Sequence, residues 1–191
     1  ITNAVYRDVS AWYHIVAVYD SANGTAGNRM RLYVNGTEVT SFATDTNPSS
    51  GANATFGNTS HPIEIGRRGS NGTQYFDGYI AEVCVIDGTA YAASDFGEFN
   101  EDSSKIWQPK DVSGLTFGTS GFYCDYEASD NLGNDANGGT DLTEVNLAAT
   151  DQATDTPTLN YMTLNPLSAG VGDVARIPTF SEGNTVFTSA G

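Results

Sequence analysis

The amino-acid sequence predicts an all-β protein, an antiparallel two-sheet sandwich with almost no helix. Three observations carry this. Residues 12–42 hold three strand-like runs separated by two turns, and the second turn is Asn35-Gly36. Asn-Gly supplies two residues that tolerate positive φ, which a type I′ hairpin turn requires. Residues 76–86, FDGYIAEVCVI, read as a closing strand, with Ala81, Val83 and Val85 facing one way and Glu82 and Cys84 the other. The composition agrees: 21 glycines, only 16% charged residues and abundant Asn, Ser and Thr give many turns and short strands.

Taken in order, residues 4–7 are expected as a short strand and 8–10 as a turn. Residues 12–20, WYHIVAVYD, are apolar on both faces, which suits a central strand covered on both sides. Residues 20–28, DSANGTAGN, are almost pure turn chemistry. Residues 30–34 form the strand that enters Asn35-Gly36, and 37–42 return from it. Residues 43–62 make a long polar loop, a length that in compact domains is usually functional or mobile. A short strand at 63–66 is followed by Arg67-Arg68-Gly69 and a turn at 70–73. Residues 89–96 are the best helix candidate, a single turn capped by Ser94 or Asp95. The composition shifts at 98–104, and 106–109 read as a linker pinned by Trp107. Residues 121–127 alternate Phe122, Cys124 and Tyr126 against Tyr123, Asp125 and Glu127, a strand. An acidic glycine-rich stretch (128–143), a turn (155–157), a short strand (161–164) and two strand-prone pieces (179–180 and 185–188) flanking a Ser-Glu-Gly-Asn turn complete the chain.

The wording WYHIVAVYD, MRLYVNGTEV, IEIGRRG and FDGYIAEVCVIDGTAYAASDF presents a Trp-led strand, a Leu-Tyr-Val-Asn-Gly hairpin, an Ile-Gly strand and a closing strand, in that order. It resembles the C-terminal half of a concanavalin A-like, laminin-G-like jelly roll. The longer wording, with IDGTA, SDFGEF, IWQPK, GTSGFY and DTPTLNY, resembles tail-associated and fibre-like virion proteins of environmental bacteriophages. The resemblance implies a jelly-roll sandwich that is incomplete at its N-terminus. Residues 1–110 are then the C-terminal half of the sandwich, 111–165 a linking β segment with an acidic glycine-rich loop, and 166–191 a linker with the opening strand of a further module or an inter-subunit donor tail. A strand at 12–20 needs two neighbours, and 30–34 supplies one. Either strands outside this numbering or a strand donated by another copy, with residues 170–191 as the natural donor, would fill the other edge.

Charge and hydropathy exclude several roles. A net charge of −15 argues against nucleic acid or an anionic membrane as partner, and leaves calcium, cationic partners or neutral glycans. No apolar run approaches the ~18 residues of a membrane-spanning helix, so no membrane span is expected. Retaining glucanases of the resembled fold carry paired carboxylates on one strand, as glycoside hydrolysis demands. Here Glu64 and Glu82 each stand alone on their strands. The histidines His14 and His61 lack a Ser or Cys elbow motif. The chain is therefore expected to be no enzyme.

Three binding chemistries stay open. Asp125, Glu127, Asp130, Asn134, Asp135, Asn137 and Asp141 crowd seventeen residues among glycines, and calcium favours such oxygens on a flexible loop. The expected calcium ligands are Asp125, Asp130, Asp135, Asn137 and Asp141, against the plainer reading of a solvated acidic loop. Exposed aromatics stack on sugar faces, and Tyr75, Tyr79 and Trp107, with Tyr91 beside them, sit near loops as ligand-binding candidates. Cys84 and Cys124 both fall on expected strands. A disulfide between them would close a loop of about forty residues and contribute about 3–4 kcal/mol. Two unpaired thiols, as in a virion assembled in the cytosol, are the alternative. Asn23, Asn35, Asn53, Asn58 and Asn71 each begin an Asn-x-Ser/Thr sequon, which matters only where secreted proteins are glycosylated.

The sequence-based expectation is a non-enzymatic structural or adhesive module of a viral tail fibre or similar appendage, on the virion or outside the cell. Its partners would be copies of itself or other appendage proteins, and cell-surface glycans. The alternatives are a subunit of an extracellular filament built by strand exchange and a stand-alone carbohydrate-binding lectin domain.

Overall fold

The computed structural model describes residues 1–54, 57, 61–68, 74–101, 103–153, 156–157, 179–181 and 186–188. The strands, in chain order, are β1 (Ile15–Tyr19), β2 (Met30–Val34), β3 (Thr37–Glu38), β4 (Val83–Val85), β5 (Gly97–Asn100), β6 (Ser103–Pro109), β7 (Phe122–Cys124), β8 (Thr179–Ser181) and β9 (Val186–Thr188). Every pair of strands is antiparallel, and among the described residues there is no α-helix, only three single turns of 3-10 helix. The fold class is all-β, as the turn-rich composition and the Asn-Gly hairpin require. The chain divides into two compact units: Ile1–Ile80 with Ile86–Gly118, and Ala81–Val85 with Thr119–Gly191.

In the first unit β1, β2 and β3 form a sheet in that order. Asn35 (φ 47°) and Gly36 (φ 72°) both take positive φ, the type I′ geometry expected of them. The turn is locked to β1, because the Asn35 amide donates to the His14 carbonyl (2.8 Å) and the His14 amide donates to Asn35 Oδ1 (2.8 Å). Residues 12–20 were expected as a central strand covered on both sides. Instead β1 is an edge strand among the described residues, and Ile15 is 62% exposed. Only alternate residues of an antiparallel strand bond to a given neighbour. The bonds at 14/35 and 20/29 fix that phase: Val16 and Val18 face β2, while the backbone groups of Ile15, Ala17 and Tyr19 point away. The turn-rich gap folds as expected, ending in a 3-10 turn at Ala26–Asn28. The long loop after β3 is tied back to the sheet: Tyr19 Oη donates to the Ala52 carbonyl (3.0 Å), and Arg29 Nη1 to the Pro48 carbonyl (3.1 Å).

The supposed linker at 106–109 is strand β6, paired with β5. Its polar approach hid a strand whose decisive residue is Trp107. That ring meets Phe99, its cross-strand partner, edge-on at 5.0 Å, and His14 at 5.8 Å. It also lies flat against the backbone of Gly36 and Gly97, where any Cβ would run into it. Among the described residues of this unit, Val18, Val34, Ala93, Val112 and Phe117 are buried and apolar. The helical turn expected at 89–96 is a single 3-10 turn, Ala93–Asp95, capped by the Asp95 carboxylate accepting the Ala92 amide (2.7 Å). Residues 4–7 and 63–66 form no strand; Thr2 bridges Phe42, and Arg67 bridges Tyr75.

In the second unit β4 pairs with β7, matching Val83 to Cys124, Cys84 to Tyr123 and Val85 to Phe122. The closing strand expected over 76–86 is thus only three residues long. The alternation of β7 holds, with Phe122 and Cys124 buried and Tyr123 on the other face. It stops at Tyr126, whose φ of 58° ends the extended chain. The strand-prone pieces of the tail, β8 and β9, pair with each other. The strand expected at 161–164, the turn at 70–73 and the sequon residues Asn58 and Asn71 lie outside the described residues.

Candidate functional site

The first unit carries an arm built from residues 66–68 and 74–76. The Phe76 amide donates to the Gly66 carbonyl (2.8 Å) and the Arg68 amide to the Gln74 carbonyl (2.9 Å), so the two segments run antiparallel. Side chains reinforce the pairing: Arg68 Nη1 donates to Gln74 Oε1 (3.1 Å), and Arg67 forms an ion pair with Glu64. The Glu64 carboxylate, with a smaller contribution from the Tyr75 hydroxyl, holds the Arg67 guanidinium above its ordinary pKa. The aromatic residues of the arm face outward, with Tyr75 68% and Phe76 58% exposed, and Tyr79 and Ile80 continue the apolar surface. Arg67, Arg68, Gln74, Tyr75, Phe76 and Ile80 line a cleft of about 390 Å³.

Of the three aromatic candidates, Tyr75 lines this cleft and Tyr79 stands exposed beside the chain that forms it. Trp107 does not line it, because its ring is engaged by Gly36, Gly97, His14 and Phe99. Tyr91 likewise serves packing: its ring meets Phe96 edge-on and its hydroxyl accepts the Thr116 amide (3.1 Å). Arg67, Arg68 and Gln74 were passed over as site residues. The available signal was two adjacent arginines in a chain with only eight Lys and Arg against 23 Asp and Glu.

The acidic segment of the second unit is organised differently from its expected role. Asp135 is 4% exposed, and its carboxylate collects backbone amides: Oδ1 accepts from Tyr123 (2.9 Å) and Asn137 (3.0 Å), and Oδ2 from Gly139 (3.0 Å). Asp141 accepts from the Asp135 amide (3.0 Å) and from Asn131 Nδ2 (2.9 Å), bonds that hold its carboxyl below the usual carboxylate range. Asp125 accepts the Glu127 amide (3.1 Å), and Asp130 and Asn137 are exposed. Among the described residues no three His, Cys, Asp or Glu side chains gather to hold a metal. The expected calcium ligands Asp125, Asp130, Asp135, Asn137 and Asp141 therefore do not converge; the carboxylates that make contacts here fasten a loop. Buried amides need acceptors, and an anionic oxygen is the strongest one a side chain offers.

Of the two alternatives weighed for the cysteines, the structure has the unpaired one: Cys84 and Cys124 are both free. Register explains why. Opposed residues of an antiparallel pair share a face. Cys124 opposes Val83, and Cys84 opposes Tyr123, so the two thiols point to opposite faces. Burial pushes the Cys84 thiol up to about 12, with Glu82 and Cys124 adding to it, and the Cys124 thiol to about 11, with Asp135 and Asp125 adding. Both are inert thiols at neutral pH. In the first unit, burial holds His14 below its ordinary pKa, so it packs as a neutral ring on Trp107.

With this geometry in place, comparison with known proteins gives one result. Residues 2–94 match the family model of the concanavalin A-like lectin/glucanases superfamily. The match supports the jelly-roll class of the chain and runs from the strands around Asn35-Gly36 through the arm to the 3-10 turn that begins at Ala93. No curated protein and no solved structure gives a match. That superfamily holds both lectins and glucanases, and what the match supports for function is a carbohydrate-binding or adhesive module. No helix among the described residues is long and apolar enough to cross a membrane.

Proposed function

We propose that this chain is a non-enzymatic adhesive module of a viral tail fibre or similar surface appendage, acting on the virion or outside the cell by recognising cell-surface glycans. The observation that supports this reading best is the aromatic and arginine-lined cleft at Arg67, Arg68, Tyr75 and Phe76, which lies within the residues matching the lectin/glucanase family model. Exposed aromatic rings with fixed polar groups around them suit a sugar, which offers an apolar C–H face and a rim of hydroxyls. Glu64, one of the two strand carboxylates weighed for catalysis, is tied to Arg67 and so acts as a fastener of the arm. The test is a glycan array and a cell-binding assay with the full chain, with and without Tyr75→Ala. Saturable binding that the substitution weakens is expected. Absence of binding to every glycan and cell surface, or release of reducing sugar from a bound glycan, would sink the reading.

A second reading, a subunit that assembles by strand exchange, is favoured by one observation. Among the described residues, the backbone of Ile15, Ala17 and Tyr19 on edge strand β1 bonds to no neighbouring strand. Open strand edges pair with available strands. Light scattering gives the oligomeric state, and hydrogen exchange gives the protection of those three amides. Protection that appears only in an oligomer supports strand exchange, whereas equal protection in a dilute monomer rules it out.

A further inference from the structure

We infer that the cleft on the arm takes an anionic sugar, a uronic or sialic acid residue, with its ring on Tyr75 and its carboxylate on Arg68; this deepens the glycan-binding reading and rests on it. The argument starts from charge. The chain carries 23 Asp and Glu against eight Lys and Arg, yet two of those eight stand side by side in this cleft. Their situations differ. The Arg67 charge is met by Glu64, whereas Arg68 bonds to the neutral amide oxygen of Gln74, and no ion pair among the described residues includes it. Among the described residues the cleft therefore presents one guanidinium without a carboxylate partner. Gln74 Oε1 accepts one of its N–H bonds, and Tyr75 and Phe76 flank it in the lining.

A guanidinium matches a carboxylate through parallel N–H donors, a match that a neutral sugar hydroxyl does not provide. The cleft is shallow and open, a surface that suits one sugar ring laid against an aromatic face. A polyanion such as nucleic acid would be repelled by the rest of the chain at long range. A single acidic sugar meets the local positive charge while most of its contact is apolar.

The experiment is calorimetry on the full chain with two singly charged probes, the methyl glycosides of galacturonic acid and of sialic acid, and with the methyl ester of the first and the carboxamide of the second, which keep the ring and remove the charge. At least one acidic probe should bind. Esterification (galacturonate) or amidation (sialate) of the carboxylate should weaken that binding about tenfold or more, as loss of a charged hydrogen bond does. Arg68→Gln should reproduce this loss with the melting temperature unchanged, and Tyr75→Ala should weaken acidic and neutral forms alike. Equal binding of the charged and neutral forms, or no effect of Arg68→Gln, overturns the inference and leaves glycan binding standing. Binding of no glycan at all removes both. Dissociation of an oligomer by Arg68→Gln would show that the cleft takes an acidic surface of a second copy, which also overturns the inference.

Discussion

Two regions hold their loops in opposite ways, and the contrast shows what each kind of anchor leaves in a sequence. In the first unit the Asn35-Gly36 turn is pressed by the Trp107 ring, which sits on bare glycine backbone and leaves its own Nε1 buried without a hydrogen-bond partner among the described residues. That anchor is apolar contact and demands glycine at 36 and 97. In the second unit the 131–142 loop is drawn round the buried Asp135 carboxylate, and glycine at 139 is demanded because a Cβ there would strike that carboxylate. That anchor is charge-assisted hydrogen bonding, and its failure leaves buried amides unpaired.

The largest expected effect breaks the polar anchor. Asp135→Ala strips three amides of their acceptor and should cost the second unit about 3–5 kcal/mol. Hydrogen exchange at Tyr123, Asn137 and Gly139 measures it. Both tryptophans, Trp12 and Trp107, lie in the first unit, so fluorescence reports on that unit alone. A fluorescence transition unmoved by Asp135→Ala means that the units unfold separately, and an equal shift means that they unfold together. Next in size, Trp107→Ala should cost about 3 kcal/mol by cavity formation. Urea unfolding followed by circular dichroism should show this cost unchanged between about pH 7 and pH 8, above the range in which His14 titrates; a strong pH dependence there would place the anchor in charge rather than contact.

Titration gives smaller effects with defined signs. The thiol pKa values of Cys84 and Cys124 are raised by burial, to about 12 and about 11. Their contribution is therefore fully present below the unfolded value of about 8.5 and is lost as pH rises through the folded values. Asp141 in the second unit, and Asp8 and Asp111 in the first, are held low by hydrogen bonds. Their contribution is present above the unfolded value of about 3.9 and is lost as pH falls through the folded ones. His14, also lowered, acts in the same direction from about pH 6.5 downward. A melting curve that stays flat across both flanks would contradict these assignments. The smallest expected effect is that of calcium. With Asp135 and Asp141 bonded to amides, millimolar calcium should leave the melting temperature of the second unit unchanged. A rise reversed by chelator would restore the acidic segment as a metal site.

Much of the first unit was legible because its signals are local. Asn35-Gly36 announces its own turn, and the residues on either side alternate without reference to anything distant. The arm was harder to read: Arg67-Arg68 was visible, but its pairing with Gln74 and Tyr75 needed the chain to fold back. The strand β6 was mistaken for a linker because Ser, Lys and Gln carry no strand signal, and its partner β5 supplies the reason it is extended. The role of the acidic segment was not legible, because a carboxylate that will accept backbone amides and one that will hold an ion look alike in one dimension.

The all-β class, the type I′ hairpin, the alternation of β7 and the acidic surface can be read without the fold, because turn chemistry and side-chain period depend on neighbouring residues and net charge on composition alone. Tertiary structure decided which strands are neighbours, that Cys84 and Cys124 point to opposite faces, that Trp107 packs on glycine instead of facing a ligand, and that Arg68 joins no ion pair among the described residues. Each of these depends on register or on contacts between residues far apart in the chain, and a register shift of one residue reverses the face of every side chain in a strand.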